Sequence, residues 1–160
     1  MDADLARLWA PWRNTFITQS KRGRCFLCRA KASRADRAHR VIARDRQAFA
    51  LLNLYPYNNG HLLIAPVRHV ASLERLTAGE WDAMRRLIRR LTARLKRTLH
   101  PQGYNVGMNL GRAAGAGIPG HLHLHLVPRW NGDTNFMPVL GRTKVISQSL
   151  DELYTLLRLD

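Results

Sequence analysis

Three histidines occur at two-residue steps in HLHLHLVPRW, residues 121–130: His121, His123 and His125. An imidazole can attack as a nucleophile, carry a proton or ligate a metal. Rings this close cannot all be protonated cheaply, because each cation raises the cost of the next. Neutral rings suit both nucleophilic attack and metal binding. A lone histidine on a strand usually satisfies a local hydrogen bond. Three in alternation behind a glycine-rich stretch read as a reactive surface. The rival is a catalytic zinc held by all three, since three imidazoles and a water are a known arrangement. Same-face residues of one straight strand lie about 7 Å apart, which fits a compact tetrahedron only if the strand bends.

The segment NLGRAAGAGIPG, residues 109–120, places Gly111, Gly115, Gly117 and Gly120 just before the histidines. Glycines let backbone N–H groups approach a phosphate with no side chain in the way. Alone, such a stretch reads equally well as a flexible connector. In front of three histidines in a basic chain it reads as a phosphate cradle beside a nucleophile. Cys25 and Cys28 form a C-x-x-C pair and are the only two cysteines. A zinc site there needs two further ligands, and histidines can supply them. A redox pair is the alternative, although no thioredoxin-like βαβ pattern surrounds it. Two buried thiols are the plainest alternative.

The whole chain sets the context. Its formal net charge is +15, from 26 Lys and Arg against 11 Asp and Glu in 160 residues. That balance favours an anionic partner: nucleotide, polyphosphate, nucleic acid or an anionic surface. Arginine dominates, and its planar fork suits phosphate. A solvated basic surface is the simpler reading for many of these residues. No run of 18 apolar residues suggests a membrane span. MDADLARLWAPWR lacks the basic and apolar regions of a secretory leader. The expected setting is the cytoplasm, with reduced or metal-bound cysteines.

Patterning indicates the elements that must position these residues. The first 20 residues, with Trp9, Trp12 and Phe16 around Pro11, read as an irregular arm with aromatic anchors. RCFLC and a basic polar stretch to His39 follow. HRVIARD and QAFALLNLYP are β-prone and imply two strands joined by a turn near Asp45. YNNG signals a turn, and HLLIAP a third strand ending at Pro66. Thr77 and Glu80 stand at capping-box spacing. Trp81, Met84, Leu87, Ile88, Leu91, Leu95 and Leu99 then mark one face of a long helix closed by HPQG. YNVGMNL reads as a strand, GRAAGAGIPG as a loop, HLHLHLVP as a strand ending at Pro128, and SLDELYTLLRL as the last helix. Alternation along that strand puts the three imidazoles on one side and Leu122, Leu124 and Leu126 in the core. The order β-β-β-α-β-β-α implies an α+β fold with a mostly antiparallel sheet. A single domain is expected over residues 1–160, with 1–35 as an arm carrying the C-x-x-C pair and 36–160 as the catalytic core.

HLHLHLVPRW resembles the histidine triad motif, His-φ-His-φ-His-φ-φ with φ apolar. LLNLYPYNNGHLLIAPVRH, GYNVGMNLGRAAGAG and HLHLHLVPRWNGDTNF resemble the branch of that family containing diadenosine tetraphosphate phosphorylases. RLWAPWR near the N-terminus joins the resemblance. It implies the histidine triad fold and a nucleotide hydrolase or transferase acting at an α-phosphate, commonly a homodimer or larger. It also implies His123 as the nucleophile that takes up a nucleoside monophosphate as a phosphoramidate. His125 would contact phosphate, His61 would be the histidine that precedes the triad, and Asn53 would contact the ribose. Asn109 and the backbone at Gly117 and Ile118 would contact phosphate around the nucleophile. Arg129 and Trp130 sit just beyond the triad, where they would shape the leaving-group or acceptor side, with Arg112 flanking the loop. Ile118 stands where a small hydroxyl residue is expected in phosphorylase-like relatives, which leaves only its backbone N–H for phosphate.

CFLC is missing from some phosphorylase-like members. It matches other branches and the related galactose-1-phosphate uridylyltransferases, where C-x-x-C and two histidines hold zinc. Carried across, the resemblance implies one structural zinc per chain on Cys25, Cys28, His69 and His121. His39 and His100 are the other candidates for the fourth ligand.

The reading that follows is an enzyme cleaving dinucleoside polyphosphates, or another nucleotidyl compound, through a nucleotidyl-His123 intermediate. Phosphate as acceptor makes it a phosphorylase; water makes it a hydrolase. A nucleoside phosphoramidase is the second enzymatic reading. A basic nucleic-acid-binding module is the alternative of another class. Against it, the chain lacks a dedicated recognition helix, zinc-finger spacing or an RNA-binding aromatic motif.

Overall fold

The computed structural model describes residues 25–141 and 143–159. The aromatic arm around Trp9, Trp12 and Phe16 lies outside the described residues. In chain order the elements are helices α1 (Phe26–Ala32) and α2 (Asp36–His39) and strands β1 (Val41–Arg44), β2 (Ala48–Leu52) and β3 (Leu62–Pro66). Helix α3 (Ala78–Thr98), strands β4 (Gly103–Met108) and β5 (Leu124–Arg129), and helices α4 (Met137–Leu140) and α5 (Leu150–Leu157) follow. The five strands form one sheet in the order β1-β2-β3-β5-β4. Every pairing is antiparallel. The expected α+β architecture is what the chain adopts.

Period-two alternation sorts the sheet into two faces. Ile42, Ala50, Leu52, Leu62, Ile64, Leu124 and Leu126 pack on one face against Met84, Leu87, Leu91 and Leu95 of α3 and Leu153, Tyr154 and Leu157 of α5. On the other face Val41, Phe49, Leu51, Leu63 and Ala65 pack against Leu27 and Ala30 of α1. His61 and His125 share the parity of Leu63 and fall on this second face. Both long helices start with capping boxes. Thr77 Oγ1 accepts from the Glu80 amide at 3.2 Å while Glu80 Oε2 accepts from the Thr77 amide at 2.9 Å. Ser149 and Glu152 repeat the arrangement on α5.

Three features depart from the sequence patterning. The basic stretch before His39 contains α1 and α2, and α4 is a further turn of helix that the pattern does not announce. Segments of seven and four residues are too short to be stable alone or to show periodicity. Tertiary contact supplies what they lack. The Arg44 guanidinium donates to the carbonyls of Ala30, Lys31 and Ser33 at 3.0, 3.1 and 2.8 Å, and pairs with Asp36 at 2.6 Å. It thereby satisfies carbonyls that the end of α1 leaves without helical partners.

The second departure is that β2 stops at Leu52. The Asn53 amide still donates to the His61 carbonyl, but the chain then turns. The third concerns the histidine strand. It starts at Leu124, not His121, and runs through Pro128 to Arg129. Leu124 is where both neighbours stop pairing, opposite Ile64 of β3 and Met108 of β4. Further along β3, the Pro66 carbonyl bonds the His121 ring instead of a strand. His121 and His123 therefore lie beyond the sheet and are held by side-chain hydrogen bonds. Leu122, Leu124 and Leu126 are all buried, as expected.

Candidate functional site

Cys25 caps α1 and Cys28 sits three residues on, so both thiols lie on one side of the first turn. His69, in the loop after β3, and His121 complete a group of four. Their ligand atoms all lie within 4.8 Å of one another. His121 Nδ1 is 3.4 Å from Cys25 Sγ and 3.5 Å from Cys28 Sγ, and His69 Nδ1 is 3.2 Å from Cys28 Sγ. A tetrahedral zinc with Zn–S near 2.3 Å and Zn–N near 2.0–2.1 Å keeps such donors about 3.3–3.8 Å apart. The group could hold such an ion. His121 is oriented for it, because its Nε2–H donates to the Pro66 carbonyl at 2.9 Å and leaves Nδ1 as a lone pair. Neither His39, at the end of α2, nor His100, after α3, belongs to this group.

The remaining histidines of the motif form a separate group with His61. A turn at Asn58–Gly60 delivers His61 into it. Gly60 has φ +69°, and a Cβ there would come within 2.8 Å of Leu99 Cδ1, so the position requires glycine. The Tyr57 amide donates to His61 Nδ1 at 3.0 Å, and the Asn53 side-chain amide lies 3.2 Å from the same nitrogen. A backbone N–H can only donate, so His61 Nδ1 accepts and its proton sits on Nε2. That proton is given to His125 Nδ1, 2.9 Å away. His125 is then protonated on Nε2, which is buried with no hydrogen-bond partner among the described residues. The ring of Tyr57 stacks on His125 at 5.5 Å and 15°.

His123 is fixed the other way round. Its Nδ1 donates to the His121 carbonyl at 2.9 Å, leaving Nε2 as a lone pair. The His123 and His125 rings are 5.1 Å apart. Burial holds these rings neutral. It pushes His61 down to about 3, with His125 and His123 adding to the effect. It pushes His125 down to about 4, His123 contributing. His123 also lies below the usual histidine range, burial outweighing the bond to the His121 carbonyl. At neutral pH the group presents one unprotonated ring nitrogen beside one unpaired N–H. That pairing can attack an electrophile and donate to an oxygen attached to it.

The glycine loop joins β4 to this group. Asn109 donates to the Gly115 carbonyl at 3.4 Å and so braces the loop. Ile118 packs on the α1 side of the sheet, and its carbonyl accepts from the His121 amide. Gly117 is half-buried in the same turn, and Arg112 is exposed. Asn53 Oδ1 accepts from the Tyr55 amide at 3.0 Å, so the side chain spans the turn from strand to His61.

Arg129 and Trp130 lie apart from the reactive rings. Arg129 is bound bidentately by Asp133, at 2.5 and 2.9 Å, and donates to Asn105 Oδ1 at 2.6 Å. Three of its five N–H groups are thereby used, and the side chain stays 46% exposed. Trp130 donates through Nε1 to the Leu99 carbonyl and is anchored at the end of α3. A cavity of about 320 Å³ lies along β5, lined by Val127, Arg129, Asp133 and Lys144 among others and by Tyr57, whose ring stacks on His125.

A sequence model of the HIT domain matches residues 34–132, more than half of the chain. The chain belongs to the HIT domain family. A Mycobacterium tuberculosis protein named AP-4-A phosphorylase is 38% identical over 161 residues, covering 96% of this chain and 83% of that protein. The bis(5'-nucleosyl)-tetraphosphatase [asymmetrical] of Schizosaccharomyces pombe is 31% identical over 93 residues, 58% of this chain and 50% of its own. The crystal structure of a Zn-bound histidine triad family protein from Mycobacterium smegmatis superposes with a TM-score of 0.66. It is 27% identical and covers 84% of this chain and 90% of that one.

Within this HIT domain, three contributors escape sequence reasoning. The Tyr57 amide and ring both touch the histidine group, yet YPYNNG signals only a turn. The Pro66 carbonyl orients His121, and backbone acceptors leave no residue-type signal. Asp133 occupies Arg129. Here a signal exists, because Asp133 is the one carboxylate between Asp82 and Asp151.

Proposed function

We propose that this protein cleaves dinucleoside polyphosphates such as diadenosine tetraphosphate at an α-phosphate through a nucleotidyl-His123 intermediate. The observation that carries this reading is the His123 ring, whose Nδ1–H is tied to the His121 carbonyl so that Nε2 is free to attack. Nε2 forms a bond to the α-phosphorus as the bond to the departing polyphosphate oxygen breaks. The N–H of His125 and the backbone around Gly117 and Ile118 donate to the non-bridging oxygens as charge builds there. In the second step an acceptor oxygen attacks phosphorus, the N–P bond breaks and the lone pair returns to His123. Asn53 serves the ribose and Asn109 holds the loop in place.

The acceptor in this proposal is inorganic phosphate. The resemblance to an AP-4-A phosphorylase over nearly the whole chain supports it. The cavity lined by Tyr57 supports it too, because its wall carries the cation of Lys144, which donates to the Asp133 carbonyl. Arg129 is steadied there by Asp133 with two N–H groups to spare, and Trp130, whose amide donates to the same carboxylate, braces the wall. Incubation with diadenosine tetraphosphate, with and without phosphate, tests the reading by nucleotide chromatography. Phosphate-stimulated formation of ADP and ATP is expected. AMP and ATP, with phosphate altering neither rate nor ratio, would make it a hydrolase. No turnover of the compound in either condition would overturn the proposal.

The same proposal gives Cys25, Cys28, His69 and His121 to one structural zinc. The soft-borderline donor set and its spacing support this choice. Zinc there would tie α1 to the segment that carries His123. Metal analysis of protein prepared without chelators should return about one zinc per chain, and none would refute the assignment. One domain, a cytoplasmic setting and a homodimer complete the reading. Cysteines kept as metal ligands suit a reducing compartment. The outer edge of β4, with Val106 half-exposed, offers a strand for pairing with its own copy.

A further inference from the structure

Helix α3 carries a surface that the chemistry of the histidines does not use. From Ala83 to Gly132 the chain has nine Arg and Lys and no Asp or Glu. Most of these cations lie on α3. Its core face is consumed by the sheet, with Met84, Leu87, Leu91 and Leu95 fully buried. Arg85 and Arg86 are neutralised by Asp82 and Asp45. Arg89, Arg90, Lys96 and Arg97 are exposed, and no carboxylate pairs with them among the described residues. Arg158, exposed at the end of α5, shares a groove of about 180 Å³ with Arg90.

This pattern works against the helix that bears it. Arg85–Arg89, Arg86–Arg90 and Arg90–Arg94 are spaced four apart, where like charges repel and opposite charges would stabilise. A surface helix serving only solubility alternates the two signs. Arg85 and Arg86 are offset by carboxylates and Arg94 donates to the Leu156 carbonyl, whereas Arg89 and Arg90 face these like charges with no carboxylate paired to them among the described residues, which marks their stretch as a surface to be neutralised from outside. The histidine group lies on the opposite face of the sheet, so the two surfaces are independent.

We propose that the outer face of α3 binds the phosphodiester backbone of nucleic acid without regard to sequence. Arginine is the cation best shaped for phosphate oxygens. The step from Arg89 to Lys96 is about 10 Å along the axis. Duplex DNA carries a charge roughly every 1.7 Å, so several phosphates lie within reach of this row. An anionic membrane suits the surface less well. A helix lying on lipid sinks an apolar face among the headgroups, and α3 spends its apolar face on the core except for Trp81 near its start, 48% exposed, which is a single ring and not a face.

The test is fluorescence anisotropy with a labelled 20-base-pair DNA duplex and, separately, a 20-nucleotide RNA, from 50 to 300 mM salt. Binding of one or both is expected, weakening steeply with salt. The triple variant Arg89→Gln, Arg90→Gln, Arg97→Gln should bind at least tenfold more weakly at 100 mM salt. Its log–log salt slope should be shallower by about 2–3, near 0.9 for each duplex phosphate that the variant leaves without a cation. Its melting temperature should be equal or higher, since repulsion is removed, and its turnover of diadenosine tetraphosphate unchanged. Glutamine keeps helix propensity, so a misfolded variant is not expected. The proposal is overturned if neither nucleic acid binds at 50 mM salt, or if the triple variant binds as the parent does. Binding to phosphatidylserine vesicles with none to nucleic acid would also overturn it.

Discussion

At the scale of single residues, a fixed backbone group, the Tyr57 amide as donor to His61 or the His121 carbonyl as acceptor from His123, decides which ring nitrogen carries hydrogen. The Tyr57 amide makes His61 Nδ1 an acceptor, and the consequence passes through His61 to His125. His123 is set independently by the His121 carbonyl. Its replacement should therefore remove the reactive nitrogen and little else. His123→Ala is expected to lower turnover of diadenosine tetraphosphate by roughly a thousandfold or more, while leaving the thermal transition within a few degrees. Steady-state kinetics and a melting curve check both parts, and an alanine variant with full activity would exclude the covalent route. His123→Gly should accept an activated nucleoside-phosphoimidazolide, in which the missing ring arrives with the substrate. Of these residues, the histidines and cysteines can be picked out from side-chain chemistry alone. Tyr57 cannot, because half of what it does is done by its amide.

At the scale of elements, periodicity makes the long pieces legible and leaves the short ones invisible. Helix α3 runs from its capping box with the apolar face that Met84, Leu87 and Leu91 announce. Strands β1, β2 and β3 follow from their β-branched and apolar runs. The start of β5 does not follow, because HLHLHL alternates perfectly, whereas pairing ends where β3 and β4 end. Helix α1 has no pattern to read and depends on Arg44. Arg44→Ala should cost about 1.5–3 kcal/mol, the range for hydrogen bonds made by a charged group. Urea unfolding gives the number. Because α1 bears both cysteines, the same variant should lose bound metal faster to a chelator. A variant that keeps its metal as tightly as the parent would show that α1 is held by Leu27 and Ala30 alone.

At the scale of the whole molecule, buried neutral histidines make stability depend on pH. An unfolded histidine titrates near 6.5, whereas His61 and His125 do so at about 3 and about 4 when folded. Between those limits the unfolded chain binds more protons than the folded one, so stability falls as pH falls. The contribution is complete above about pH 6.5 and is lost progressively as pH falls, through about 4 for His125 and about 3 for His61. Glu80, held at about 2 first by Arg68 and then by Thr77, adds a loss of the same sign at lower pH. The urea midpoint should be lower at pH 5 than at pH 7, and His125→Gln should narrow that gap. An unchanged gap in the variant would assign the pH dependence to other groups. His121 links two parts of the molecule through one residue: its ring faces the cysteines and its carbonyl holds His123. Thermodynamic reciprocity then applies. In the proposed reading, a nucleotide that steadies His123 must also steady the His121 peptide, and with it the group of Cys25 and Cys28 that could hold a metal. An AMP-loaded protein should bind that metal more tightly than an empty one, its dissociation constant lower by the same factor by which the metal lowers that of AMP.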